Sequence, residues 1–280
     1  MIRYCIAAVI LFAAMHLRPA EGSDLEVQLQ IHPIKIQYGD PVYIEVTITN
    51  TGKENVVARK PDLLFGTFYF RFYDPETHTS TTSGQGFGLV GGLGSVTYEP
   101  GKPIRHYWIV FAPHLHQLDH AFWKPTRASR TMIVSGEYAL SKTLLLKSDL
   151  NAVRIVARDE AELRHLEKWT REKSGFYEGP SPTSIGIDFE HRMNRQQTLE
   201  ILAPLRPSEL ADLLQLSIRM QEIYEAPPDA RATNNKLLVE WLQEQPRIKR
   251  LALVKEVRGL ADSYKLLSTK AALEAVSGDE

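Results

Sequence analysis

The chain has 280 residues, 43% hydrophobic and 24% charged, a composition of ordinary globular domains that excludes a disordered, collagen-like or multi-span membrane protein. Its 33 Lys+Arg against 34 Asp+Glu give a formal net charge of -1, so no global field exists to gather nucleic acid or anionic lipid. The single cysteine, Cys5, precedes an apolar run expected to be cleaved away, which excludes disulfides, thiol catalysis and Cys-ligated metal in the mature chain.

The N-terminus reads as a signal peptide over residues 1–22. Arg3 supplies the positive charge, Ile6 to Met15 the apolar core, and Ala20-Glu21-Gly22 the small residues a signal peptidase reads. The run is too short to span a bilayer, so no stable membrane span is expected after cleavage. A chain exported without cysteines or an Asn-x-Ser/Thr acceptor suits a bacterial envelope, periplasmic or extracellular.

From Leu25 to about Ala157 apolar residues recur with period two, as in Leu25, Val27, Leu29, Ile31 and again in Val42, Ile44, Val46, Ile48. This alternation predicts strands at 25–31, 41–50, 67–73, 104–111, 131–134, 137–146 and 152–157. Ile104 to Phe111 is apolar on both faces and reads as a central strand, with Trp108 placed to fill an inter-sheet space. Aromatics concentrate in Phe65, Phe68, Tyr69, Phe70, Phe72 and Tyr73. Most belong to a core, while exposed ones would stack sugars or peptides.

Two loops between these strands carry candidate sites. In the glycine-rich stretch 83–94, Gly86, Gly88 and Gly91 match G-x-G-x-x-G, but the stretch runs on into Ser95-Val96-Thr97-Tyr98 instead of opening a helix. A nucleotide-phosphate role is therefore rejected, and a loop whose backbone approaches a ligand or partner remains. In the second loop, His114, His116 and His120 stand near Asp119, with His106 one strand earlier. Two histidines two apart on a strand share a face, so the segment could surround a tetrahedral zinc ion; the simpler reading is a polar loop holding no cofactor. Phe122 and Trp123 follow, with Lys124, Arg127 and Arg130 beyond, an aromatic and cationic mixture common at interfaces.

Beyond Arg158 the period becomes helical, with Ala161, Leu163, Leu166 and Trp169 on one stripe. Helices are expected at 159–173, 189–203, 208–225, 230–245 and 247–275, the last broken near Gly259. Ser208 and Asp229 are the expected N-caps, because their oxygens can accept from unpaired first-turn amides.

Several turn signatures point to one fold. Tyr38-Gly39-Asp40-Pro41 leads into a strand that ends at Asn50-Thr51-Gly52, Glu99-Pro100-Gly101 precedes another, and Ser135-Gly136-Glu137-Tyr138 comes late. Over about 130 residues this resembles the immunoglobulin-like domains of exported bacterial proteins. The resemblance implies a β-sandwich with Tyr138 placed as a tyrosine corner, its hydroxyl bonding back to the backbone a few residues upstream, and it transfers no catalytic residue.

The expected architecture is thus α+β and multidomain: an all-β immunoglobulin-like sandwich over 23–157 followed by an all-α helical domain over 158–280. The expected role is a non-enzymatic binding protein of the envelope, its partner an envelope protein or polysaccharide and not nucleic acid, acting through the two loops. The alternatives are a metal-dependent hydrolase using His114, His116 and His120, or a protease-inhibitor-like module. The helical half is also a candidate dimerisation element.

Overall fold

In the computed structural model, which describes residues 24–63, 66–83, 94–111, 129–140, 144–165 and 195–276, strands fill the first half and helices the second. The strands are β1 (Leu25–His32), β2 (Lys35–Gln37), β3 (Pro41–Asn50), β4 (Val56–Arg59), β5 (Phe68–Asp74), β6 (Thr79–Ser83), β7 (Ser95–Tyr98), β8 (Ile104–Phe111), β9 (Arg130–Ala139), β10 (Leu145–Lys147) and β11 (Asn151–Val156). They form three open sheets: β1-β3-β8, then β2-β11-β9-β5-β6 with β10 beside β9, and the ribbon β4-β7. The helices are α1 (Arg195–Leu202), α2 (Glu209–Glu225), α3 (Pro228–Gln243), α4 (Arg247–Ser263) and α5 (Leu267–Leu273), with a further helical stretch at 160–165. The protein is therefore mixed α+β. Among the described residues no helix is long and apolar enough to cross a membrane.

The chain divides into two compact units. The first comprises the described residues within Met1–Gln30, Val46–His106 and Met132–Ala152. Its core takes Leu25, Val27 and Leu29 from β1, Phe68, Phe70 and Phe72 from β5, Met132, Val134 and Tyr138 from β9, and Tyr98 from β7, all buried. The turn signatures prove to be fastenings. Asn50 is wholly buried; its amide donates to the Glu54 and Tyr98 carbonyls at 2.7 and 2.8 Å and accepts from the Gly52 N–H at 2.9 Å. Gly101, at φ +70°, donates its N–H to the Asn50 carbonyl at 2.8 Å, a left-handed geometry that favours glycine.

The second unit comprises the described residues within Ile31–Glu45, Tyr107–Thr131 and Val153–Glu280. Its core joins strands to helices, with Tyr43 of β3 and Tyr107 and Ile109 of β8 packed among Leu213, Leu216, Leu242, Leu253 and Val257. This explains the two-faced apolar pattern of 104–111. β3 is the middle strand of its sheet and β8 lies at the end of the order. β8 is therefore an end strand and not the central one expected, and helices cover its Tyr107 and Ile109 face.

Three expectations are corrected. Residues 131–134 and 137–146, expected as two strands, are replaced by the continuous β9 and the short β10. Gly136 does not break β9: a Cβ there would lie 2.7 Å from Cζ of Phe68, so the glycine admits a ring. The long C-terminal helix breaks at Tyr264–Leu266, where Lys265 adopts φ +56°, and not at Gly259. Finally, Pro227 caps α3 and Asp229 lies in its first turn, whereas Ser208 does cap α2, its side chain accepting from Ala211 N–H at 3.2 Å.

Candidate functional site

The residues singled out by sequence, Gly86, Gly88, Gly91, His114, His116, His120, Phe122 and Trp123, lie outside the described residues, as does the 1–22 segment. Among the described residues no group of three or more His, Cys, Asp or Glu side chains is arranged to hold a metal ion. The feature with the composition of a binding surface lies on β5, in the first unit.

Strand β5 reads Phe-Tyr-Phe-Arg-Phe-Tyr-Asp, and side chains alternate sides along a strand. Phe68, Phe70 and Phe72 enter the core, at 0%, 0% and 2% exposure. Tyr69, Arg71 and Tyr73 therefore share the opposite face. The antiparallel register sets their neighbours: Glu137 is opposite Tyr69, Ser135 opposite Arg71 and Ile133 opposite Tyr73 on β9, while Thr82 and Ser80 of β6 flank Arg71 and Tyr73. Strand β10 adds Lys147 opposite Glu137.

A charged centre is fixed between the two tyrosines. Arg71 donates Nε–H to Glu137 Oε1 at 2.8 Å and Nη2–H to Oε2 at 3.1 Å, a bidentate pairing that holds the guanidinium plane. The carboxylate hydrogen bond raises the Arg71 pKa further. Lys147 Nζ stands 3.9 Å from Oε1 of the same carboxylate, and the side chains of Arg71 and Lys147 are 43% and 52% exposed against 5% for Glu137. The neighbouring hairpin is also pinned. Buried Asp74 accepts the Glu76 and Thr77 N–H groups at 2.8 and 3.3 Å, and the Tyr73 hydroxyl pairs with His78 Nδ1 at 3.0 Å. At ~3.3 Å per residue the two tyrosines are about 13 Å apart along the strand. The sequence signal was the Tyr-x-Arg-x-Tyr alternation itself, which a count of aromatics blends with the core phenylalanines.

The second unit holds a denser set of charges, with Arg158, Asp40, Glu45 and Lys249 buried. Arg158, with no exposed side-chain surface, bonds Asp40 and donates Nη1–H to Glu162 at 3.1 Å. Asp40 also accepts N–H groups from Gln37 at 3.0 Å and Leu210 at 3.2 Å. Burial raises the Asp40 pKa, opposed by Arg158 and these donors. Lys249, 4% exposed, lies 2.7 Å from Glu209 and bonds Asp212, with the Tyr43 ring centroid 5.5 Å away. Burial and the Glu209 and Asp212 carboxylates push the Tyr43 phenol well above its usual range, so it stays neutral. Arg247 bonds Glu45 at 2.8 Å and the Tyr107 hydroxyl at 3.3 Å. These groups fasten β3 and β8 to α2 and α4.

No protein-family model and no curated protein matches the chain. Solved structures match in part. The sporulation control protein Spo0M of Bacillus subtilis is 14% identical over 52% of this chain and 56% of its own, at a TM-score of 0.32. A β-glucosidase of Erythrobacter marinus is 14% identical over 47% and 15%, at 0.30, and one of Listeria innocua is 11% identical over 49% and 16%, at 0.30. The chain thus spans little more than half of the first and under a fifth of the other two. Likeness at this level carries no argument about activity.

Proposed function

We propose that the protein is an exported, non-catalytic binding protein of a bacterial envelope, holding an envelope macromolecule on the Tyr69–Arg71–Tyr73 face of an immunoglobulin-like sandwich. The carrying observation is the pairing of two half-buried tyrosines with a guanidinium locked by Glu137. Tyrosine and arginine are the residues most enriched where binding energy concentrates, and a pre-fixed side chain loses less entropy on binding. The signal-like start, with Arg3, the Ile6 to Met15 run and no cysteine after Cys5, supports export. Strands β1 and β5, in different sheets, each bury alternate apolar residues, and with the turns at Asn50 and Gly101 this supports the sandwich.

The test is co-sedimentation of the purified chain from Ser23 with an insoluble cell-wall fraction. The wild type is expected to pellet with the wall, and the Tyr69→Ala/Tyr73→Ala variant, folded by circular dichroism, to stay in the supernatant. Equal pelleting of both would contradict the assignment of this face.

A further inference from the structure

We propose that the ligand of this face is an anionic glycan strand, one bearing carboxylate or phosphate groups; this rests on the face being the binding surface. Four features lead there. The two rings are separated by about 13 Å along β5, so a ligand touching both must be extended, longer than one small molecule. Each ring offers an apolar surface beside hydroxyls, with Ser80 and Thr82 in the adjoining positions of β6. That alternation suits sugar rings, whose C–H faces stack on aromatics while their rims exchange hydrogen bonds.

The middle of the face is an ion pair instead of an apolar cluster. Protein–protein interfaces favour Tyr and Arg but are depleted of Lys and Glu, so Lys147 and Glu137 are the residues that speak against a folded protein partner here. The charge arithmetic then selects among glycans. Two cations, Arg71 and Lys147, stand over one carboxylate, and Glu137 is covered while both cations reach solvent. Among the described residues Glu137 is the one carboxylate paired with these two cations, which leaves one positive charge over. At 3.9 Å Lys147 makes no hydrogen bond to Glu137, leaving its ammonium to meet an anion on the ligand.

Titration of the chain with polygalacturonate, a neutral β-glucan and poly-glutamate decides the matter. Polygalacturonate is expected to bind more tightly than either of the others. Lys147→Gln, an exposed change, should weaken it roughly three- to tenfold and flatten its salt dependence. Tyr69→Ala should weaken it by a similar factor while Tyr69→Phe, which keeps the ring, restores it. Poly-glutamate binding as tight as polygalacturonate would overturn the glycan, and neutral glucan binding that ignores Lys147 would overturn the anionic part. Polygalacturonate binding that is absent, or unchanged in every variant, would overturn the proposal as a whole. The cell-wall pelleting of the double tyrosine variant reports separately on the parent reading, since it assumes nothing about ligand charge.

Discussion

Glu256 illustrates how a single side chain on α4 couples to solution conditions. Burial raises its carboxyl pKa from 4.5 to about 7, and the neighbouring Lys255 only partly offsets this. Lys255 is itself engaged, donating to the Tyr107 carbonyl at 2.7 Å and lying 4.8 Å from the Trp108 ring centroid. A folded pKa above the unfolded one means that the protonated carboxyl contributes stability fully present below about 4.5 and lost as pH rises through about 7. Glu256→Gln removes that dependence. The variant is expected to melt about 6–12 °C above the wild type at pH 8, roughly 3 kcal/mol, with a much smaller advantage at pH 5. Melting curves at the two pH values check this, and an advantage independent of pH would contradict it. Tyr138 works differently at the same scale. Its hydroxyl donates to the Arg59 carbonyl and lies 3.4 Å from the Tyr98 hydroxyl. The resemblance implied a bond a few residues upstream, whereas the acceptor is 79 residues away.

Among the elements, those whose pattern is set by local alternation were legible: β1, β3, β5, β8 and β11 fall within a residue or two of expectation. The short strands β2, β4, β6 and β7 were not. Thr79–Ser83 is all hydroxyl residues, so it has no apolar alternation to detect, and only pairing with β5 makes it a strand. Gly136 falls between the expected strands 131–134 and 137–146 because a glycine in a strand signals either a bend or a close approach, and only the position of Phe68 chooses between them. Gly136→Ala forces the buried Phe68 ring aside and is expected to cost about 1–3 kcal/mol, read as a lower urea midpoint with unchanged m-value. An unchanged midpoint would show that the ring yields without loss. Lys265 offered no sequence signal for the α4–α5 break, since a lysine at positive φ is fixed by its surroundings rather than by preference.

On the scale of the whole molecule, the change from period two to helical period near Arg158 gave the β-then-α order correctly. It gave no hint that β3 and β8 would supply core to the helices. Asp40, just before β3, sits in a Gly-Asp-Pro turn signature, and a turn motif says nothing of the Arg158 and Leu210 partners that come later in the chain. The binding face was half visible: the aromatics of β5 were noticed, but the Glu137 lock on Arg71 joins residues 66 apart and depends on register. The central claim is that this face meets the ligand, and side-chain oxidation footprinting of the chain with and without bound cell-wall polysaccharide tests it most directly. Protection of Tyr69 and Tyr73 on binding is the predicted result. Protection confined to 84–94 or 113–127, with both tyrosines unchanged, would place recognition on the loops and contradict the account.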